Sequence, residues 1–157
     1  MTVRTHTPNL LARASTVSVL TLATLGGAAL APGAAPDAEA ASVAAYALRI
    51  AASKRGSPYQ YGAQGPHRFD CSGLTLYSFR RAGRALPRSA AAQYGQTRHI
   101  PAWSRKRGDL VFFHSTRGVY HVGIYAGRGL MWHAPKTGQV VRLEKIWSRA
   151  VWYGRVR

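Results

Sequence analysis

The sequence of 157 residues contains a single cysteine, Cys71. One cysteine can form no intramolecular disulfide, which excludes the cross-linked class of small exported domains and leaves stability to a hydrophobic core. Free cysteine is most often a small, buried core residue. A cysteine placed where a loop turns into a helix is different, because the free N–H groups of the first helical turn favour the thiolate, which is the nucleophilic form. Cys71 is therefore either a core residue or a nucleophile.

Acidic residues are also scarce, with 5 Asp+Glu against 22 Lys+Arg and a formal net charge of +17. A surface of this kind attracts polyanions, namely nucleic acid, anionic lipid or phosphate-bearing cell-wall polymers. The sequence has no recognisable nucleic-acid-binding motif, and its arginines are spread along the chain instead of clustering on one helix. We therefore expect retention on anionic cell-wall polymers and no nucleic-acid partner.

The first 40 residues have the pattern of a secretory signal peptide. A segment with Arg4 and Arg13 and no acid precedes an uncharged, apolar stretch, and Ala38-Glu39-Ala40 then supplies the small residues of a cleavage site. Cleavage there predicts a secreted mature domain, residues 41–157. Cleavage after Ala29-Leu30-Ala31 and retention of the apolar stretch as a membrane anchor are the alternatives. Glycines and prolines interrupt the stretch, so we expect no stable membrane anchor.

Apolar spacing and capping residues predict three helices in the first half of the mature domain. The second helix starts at Cys71, with Asp70 as its cap and Gly83 as its stop. The segments between the helices contain prolines and glycines without periodicity and are predicted loops, as is the stretch from Arg98 to Gly108. The other two helices are predicted over Ser42–Arg55, with Ser42 as the cap, and over Ala90–Gln96.

The second half of the chain has short apolar runs separated by glycines and polar turns, which predict strands. The strand candidates are Leu110–Phe113, Val119–Ala126, Leu130–Ala134, Val140–Leu143 and Val151–Val156. Helices followed by strands predict an α+β domain in which N-terminal helices pack on one mostly antiparallel sheet. The sequence contains no internal repeat, and we expect one domain and a monomer.

A thiol nucleophile needs a base, and His121 and His133 are the histidines on predicted strands. If the turn between these strands is centred on Gly127, the two histidines lie opposite each other, on the same face, with Cβ atoms about 5 Å apart. A two-residue turn at Gly127-Arg128 would instead pair His121 with Ala134 and separate the histidines. The prediction of a paired site therefore requires an odd-length turn.

Two other interpretations of these histidines are open. They can be ordinary half-buried residues of a sheet, or they can belong to a metal site. With Cys71 and one distant carboxylate, two histidines make a thin ligand set for zinc, so we predict no metal and no cofactor. Gly123 leaves a hole beside His121, and we expect it to be filled by a close neighbour such as the N-terminus of the cysteine's helix.

The motifs around these residues resemble the NlpC/P60 cysteine peptidases. The resemblance covers about Val43 to the C-terminus, and the motifs occur in the order of the family. It implies a papain-like fold and a peptidase that cuts bacterial peptidoglycan stem peptides, most often between D-γ-glutamate and diaminopimelate. The motifs are Pro58-Tyr59-Gln60-Tyr61-Gly62, Phe69-Asp70-Cys71-Ser72-Gly73-Leu74, Leu86-Pro87-Arg88-Ser89, Gly108-Asp109-Leu110-Val111-Phe112-Phe113, His121-Val122-Gly123-Ile124-Tyr125 and His133-Ala134-Pro135.

The same resemblance implies the roles of individual residues. Cys71 matches the nucleophile, His121 the general base, and His133 the third position, which orients the base. Tyr59 matches a loop tyrosine whose hydroxyl helps to bind the oxyanion. Asp70 and Ser72 flank the nucleophile and are expected at the substrate, although capping of the helix explains Asp70 equally well.

Two departures from the family's pattern are visible. Ala63 stands where the family usually has a second glycine, and no wall-binding module is appended, so we expect a catalytic domain alone. Two rival functions are also open. One is a peptidoglycan amidase like the CHAP enzymes, and the other is a basic wall-binding protein with a dead site. Competent residues at all three triad positions favour the peptidase.

Overall fold

The structure, a computed structural model, describes residues 36–157. Most of the predicted signal peptide lies in residues 1–35, outside the described residues. No helix within the described range is long and apolar enough to cross a bilayer. The helices are α1 (Pro36–Ser53), α2 (Cys71–Arg81) and α3 (Ala90–Gln96), and the strands are β1 (Arg98–Ile100), β2 (Leu110–Ser115), β3 (Gly118–Gly127), β4 (Leu130–His133), β5 (Arg142–Lys145) and β6 (Val151–Arg155).

All these strands form one antiparallel six-stranded sheet in the order β1-β6-β2-β3-β4-β5. The helices pack on one face, where Phe112, Val122 and Ile124 of the sheet join Leu74 and Phe79 of α2 in one buried cluster. Burying one such side chain fully stabilises a fold by about 1.5–3 kcal/mol. This core supplies the stability that a chain with one cysteine cannot draw from disulfides. The predicted α+β architecture is confirmed.

The opposite face of the sheet carries a smaller apolar cluster, which includes Val111, Phe113 and Met131. The two clusters alternate along each strand because successive side chains point to opposite faces. His121 lies directly opposite Phe113 in the β2–β3 register, and the two rings meet edge-on with centroids 5.5 Å apart. The second face therefore carries His121.

Two elements differ from the prediction. Helix α1 already begins at Pro36, so Ser42 is not its cap, and the Ser42 hydroxyl instead donates to the carbonyl of Glu39 inside the helix. Strand β1 forms within the predicted loop by pairing with β6 at the edge of the sheet. Its sequence, Arg98-His99-Ile100, has no apolar alternation, so pairing with a neighbour and not its own pattern defines it. Helices α2 and α3 begin where predicted, capped by Asp70 and Ser89.

The β3–β4 hairpin has a different turn from the predicted one. Tyr125 pairs with Met131, and a bulge at Ala126 interrupts the pairing before the turn. The turn residues Arg128-Gly129 have φ values of 53° and 72°. Positive φ at both central residues suits the right-handed twist of the strands. The turn thus has two residues and not the odd number that the prediction required. Beyond the bulge the pairing is centred on Arg128 and not on Gly127.

This register changes how the two histidines meet. It places His133 opposite Gly123, so His121 is the diagonal neighbour of His133, and the predicted direct opposition is wrong. The prediction of a shared face is right, because strand residues two positions apart point to the same side. The hole at Gly123 is filled from β4: a Cβ there would lie 2.9 Å from the sulfur of Met131 and 3.2 Å from the Cβ of His133.

Candidate active site

Cys71 is the first residue of α2. The helix begins there because Asp70 caps it, with Oδ1 accepting a hydrogen bond of 2.7 Å from the N–H of Gly73. Cys71 is half-buried, and the nearby main-chain N–H of Val122 acts to lower the pKa of its thiol. Val122 follows His121 in β3, so the thiol rests against the strand that carries the predicted base.

The loop before α2 packs so closely on the helix that residue 73 must be glycine. A Cβ on Gly73 would come within 2.0 Å of the carbonyl oxygen of Ala63. The N–H of Asp70 donates to this same carbonyl at 3.0 Å, and the N–H of Gly62 donates to Oδ2 of Asp70 at 2.8 Å. The loop is thereby fixed to the first turn of α2, and Gly73 follows from a close backbone approach.

Tyr59 is half-buried and lines the same cleft as Cys71. Its main-chain N–H donates to the carbonyl of Gln139 at 2.8 Å, and the residue forms a bridge to Phe69. Burial, together with the nearby Cys71, raises the pKa of the Tyr59 phenol. The hydroxyl therefore stays protonated at neutral pH and is available as a hydrogen-bond donor in the cleft.

Arg88 forms hydrogen bonds to the two residues that flank the thiol. The sequence alone predicted no role for Arg88. Its guanidinium donates to both carboxylate oxygens of Asp70, with 3.1 Å from Nη1 to Oδ1, and to the hydroxyl of Ser72 at 2.9 Å. Asp70 and Ser72 are each only 5% exposed. Both residues flank the thiol as expected, but their polar atoms serve the helix cap and Arg88. The turn Leu86-Pro87-Arg88-Ser89 was the signal that could have found Arg88.

His121 and His133 are joined by a hydrogen bond of 2.9 Å between Nε2 of His121 and Nδ1 of His133. Their rings are nearly perpendicular, at 87°, and are 7% and 1% exposed. The indole of Trp147 lies 5.6 Å and 5.3 Å from the two ring centroids and covers the pair. Because Nε2 of His121 is engaged, Nδ1 is the nitrogen left to face a thiol.

Glu144 completes the polar contacts of His133, and sequence reasoning missed it. Its Oε2 lies 2.9 Å from Nε2 of His133 and accepts a hydrogen bond of 2.8 Å from Nε of Arg142. The predicted strand ended at Leu143, whereas β5 extends to Lys145 and includes Glu144. The sequence has only 5 Asp+Glu, and an acid directly after a predicted strand was the signal that could have identified Glu144.

Burial pushes both Cys71 and His121 toward their neutral forms. Burial and the charge of Asp70 raise the pKa of the Cys71 thiol, and these effects outweigh the N–H of Val122, which lowers it. The expected preference for thiolate at the helix terminus is thus reversed in the free protein. Burial and the nearby His133 lower the pKa of His121 to about 3, and burial also lowers the pKa of His133. At neutral pH both imidazoles are uncharged.

The cleft has two sides that share Tyr59, Cys71 and Tyr120. The histidine side is lined in addition by His121, His133, Pro135, Lys136, Gln139, Arg142, Glu144 and Trp147. The arginine side is lined in addition by Tyr61, Gly62, Asp70, Ser72, Arg88 and Ser89. Within residues 36–157, no group of three or more His, Cys, Asp or Glu side chains is arranged to hold a metal ion. The cleft thus offers a thiol, an imidazole and hydrogen-bond donors for chemistry.

A cysteine at the start of a helix that lines one cleft with two histidines of an antiparallel sheet is the arrangement of a papain-like α+β domain. Residues 56–156 match the NlpC/P60 family. The chain is 45% identical over 106 residues to the probable endopeptidase p60 of Listeria monocytogenes, covering 64% of this chain and 22% of p60. It is 40% identical over 114 residues to the peptidoglycan endopeptidase RipA of Mycobacterium tuberculosis, covering 64% of this chain and 24% of RipA.

The similarity extends to solved structures. The peptidoglycan hydrolase RipB of Mycobacterium tuberculosis superposes with a TM-score of 0.68 at 33% identity, covering 77% of this chain and 68% of that one. The chain therefore belongs to the NlpC/P60 family. The matched part corresponds to about a quarter of the length of p60 and of RipA.

Proposed function

We propose that this protein is a cysteine endopeptidase that hydrolyses peptidoglycan stem peptides at the D-γ-glutamyl–diaminopimelate bond. The observation that carries the proposal is the cleft that contains Cys71, Tyr59 and the hydrogen-bonded pair His121 and His133. Relatives named peptidoglycan endopeptidases support the substrate class.

The reaction proceeds through a thioester. His121 accepts the thiol proton at Nδ1 as the sulfur of Cys71 attacks the amide carbonyl, which is general-base catalysis on a neutral pair. The amide C–N bond then breaks, and the imidazolium of His121 donates the proton to the leaving amine. Water attacks the thioester with His121 again as the base, which releases the carboxylic acid and restores the thiol. Throughout the cycle His133 holds the ring of His121 in orientation.

The oxyanion that forms during both attacks needs donors. The main-chain N–H of Cys71 belongs to the first helical turn, so it has no acceptor within the helix. The hydroxyl of Tyr59, which stays protonated, is the second donor in the cleft. Loss of one such donor typically costs about a hundred- to a thousandfold in rate.

The two sides of the cleft determine the orientation in which the substrate binds. The leaving amine must lie on the histidine side, since His121 protonates it, and the acyl group then lies on the arginine side. A γ-linked glutamyl group keeps its α-carboxylate free, and Arg88, whose side chain stays 37% exposed although it contacts Asp70 and Ser72, stands on that side to receive it. This match supports a γ-glutamyl acyl group.

The test is digestion of purified peptidoglycan by wild type and by Cys71→Ala, with mass spectrometry of the released fragments. We expect wild type alone to release fragments with new glutamyl carboxyl and diaminopimelyl amino termini. Release of whole stem peptides would indicate the amidase instead. Equal release by both proteins would contradict thiol catalysis and favour a basic wall-binding protein.

Secretion and retention at the wall are part of the proposal. The supporting feature is a groove lined by the exposed side chains of Arg98, Lys106 and Arg107, which shares no lining residue with the cleft. A phosphate-bearing polymer bound there leaves the cleft open. Sedimentation with cell walls before and after removal of their phosphate polymers tests it, and binding must fall on removal and with added salt.

A further inference from the structure

We infer that Glu144 is a positioning residue for the proposed reaction: it fixes which nitrogens of His133 and His121 carry protons, so that His121 presents a bare Nδ1 to Cys71. The inference rests on the proposed function. Glu144, His133 and His121 are called the hydrogen-bonded row below.

The hydrogen-bonded row runs along one diagonal across three strands. In the β4–β5 register Glu144 lies opposite Met131, which is two residues before His133. In the β3–β4 register Ile124 pairs with Trp132, so the next residues, His133 and Gly123, come opposite each other, and Gly123 is two residues after His121. Both steps are therefore diagonal neighbours on the same face, with Cα atoms about 7–8 Å apart, a span that two facing side chains bridge. The observed 2.9 Å contacts at both steps show that they do so.

The carboxylate of Glu144, at the end of the row, determines which ring nitrogens carry protons. An ionised carboxylate only accepts hydrogen bonds, so Nε2 of His133, at 2.9 Å from Oε2 of Glu144, carries the proton. A neutral imidazole has one N–H, so Nδ1 of His133 is an acceptor and Nε2 of His121 must be the donor to it. Nδ1 of His121 is then left with a lone pair. The reverse arrangement would place two acceptors against each other at Glu144.

Arg142 keeps the end of the row in its charged form. Its Nε donates to Oε2 of Glu144 at 2.8 Å, and its Nη2 forms an ion pair with the same oxygen, also at 2.8 Å. Burial acts to raise the pKa of Glu144, but the hydrogen bonds from Arg142 and His133 outweigh it, and the pKa is lowered. The carboxylate is therefore ionised at neutral pH. Arg142 pairs with His133 in the β4–β5 register, which places it beside the contact that it supports.

The charge of Glu144 matters most when His121 becomes positive. As the thiol proton arrives at Nδ1, the ring of His121 becomes an imidazolium, and a carboxylate at the end of the row favours this charged form. The effect is electrostatic, so no proton has to move from an imidazole to Glu144. Without the carboxylate, the paired thiolate and imidazolium are harder to form, and Cys71 is a poorer nucleophile.

A simple ion pair between Arg142 and Glu144 on strand β5 is the rival explanation. Such a pair contributes to stability alone and has no effect on the thiol. Because Cys71 is the only cysteine, the rate of its alkylation by iodoacetamide reports the thiolate directly and needs no substrate. This measurement therefore stays informative even if the proposed peptidase reaction is absent.

The first test measures alkylation of Cys71 between pH 5 and 9 in wild type, Glu144→Gln and Arg142→Gln. We expect alkylation near pH 7 to slow about tenfold in Glu144→Gln, in line with losses of outer partners of functional histidines, and less in Arg142→Gln, which retains the carboxylate. In a His133→Asn background, Glu144→Gln must have no further effect. An unchanged rate in folded Glu144→Gln, with folding checked by circular dichroism, would overturn the inference.

The second test uses only the wild-type protein. Long-range ¹H–¹⁵N spectra of its imidazoles distinguish protonated from bare ring nitrogens. We expect His133 and His121 both as the Nε2–H form at pH 7, and His133 as the Nδ1–H form would contradict the inference. If these spectra are observed but the protein does not hydrolyse peptidoglycan, the proposed function is rejected. The inferred protonation of His133 and His121 is then still supported.

Discussion

His133 lies opposite Gly123, a residue with no side chain, in the β3–β4 hairpin. The space that a side chain would occupy there is bounded by the sulfur of Met131, the carbonyl of Trp132 and the Cβ of His133 itself. The missing side chain lets β4 approach closely enough for the imidazole of His133 to reach its diagonal neighbour His121. A glycine on a buried strand is thus part of the geometry that joins His133 to His121, the proposed base.

Gly123→Ala tests this relationship. The new Cβ would lie 3.0 Å from the carbonyl oxygen of Trp132, a main-chain atom that cannot move alone, and 3.2 Å from the Cβ of His133. We expect a loss of about 1–3 kcal/mol in the free energy of unfolding, measured by urea denaturation, and a lower kcat with little change in KM. Gly95→Ala is the matched control, because nothing lies near its Cβ. A lower kcat in Gly95→Ala as well would argue against the explanation.

Arg88→Met tests the support of the helix cap. The substitution leaves the carboxylate of Asp70, 5% exposed, without its cation. We expect a loss of about 2 kcal/mol, within the range for leaving a buried polar partner unpaired. Arg149→Met, at an exposed position, serves as the control and should unfold at the wild-type urea concentration. Equal midpoints for the two variants would show that Gly62 and Gly73 suffice to hold Asp70.

The buried histidines predict the pH dependence of stability. Burial lowers the pKa of His121 to about 3, so between its unfolded pKa, about 6.5, and that value the unfolded chain binds a proton that the folded chain does not. Stability must therefore fall as the pH falls through this window, by at most about 1.4 kcal/mol per pH unit for this one residue. Urea midpoints from pH 7 to 4 measure the slope, and His121→Gln should flatten it. A slope that His121→Gln leaves unchanged would contradict the assignment.

The position of Lys136 predicts a preference for diaminopimelate over lysine on the leaving-amine side of the cleft. Lys136 is exposed and lines the histidine side, where diaminopimelate brings a carboxylate and lysine brings only an ammonium group. We expect Lys136→Glu to lower kcat/KM on diaminopimelate stems by about threefold to fivefold, as for an exposed ion pair, and to lower it less on lysine stems. Lys145→Glu changes the same charge outside the cleft and should leave the ratio unaltered. An equal loss on both stem types would reject a role for Lys136 in selectivity.

The sequence predicted the parts of the site that depend on local chemistry. The cap at Asp70 and the start of α2 at Cys71 follow from residue types that are adjacent in the chain. The shared face of His121 and His133 follows from the period of two in a strand. These features need no knowledge of how distant segments pack.

The parts that the sequence could not predict depend on pairing between segments. The bulge at Ala126 shifted the hairpin register, and no residue type announces such a bulge. Glu144 lies in an edge strand whose sequence, Arg142-Leu143-Glu144-Lys145, has no buried alternating face. Arg88 meets Asp70 across a gap of 18 residues. Each of these contacts becomes visible once the sheet and the loops are in place.

The position of β5 at the edge of the sheet has an evolutionary consequence. Cys71 and His121 stand among core side chains, where an exchange would require neighbours to repack. Glu144 and Arg142 are half-exposed on a strand with one free side, so substitutions there disturb little else. If Glu144 acts as proposed, the reactivity of the thiol can change through substitutions at the periphery of the sheet, while the groups proposed to touch the substrate stay the same.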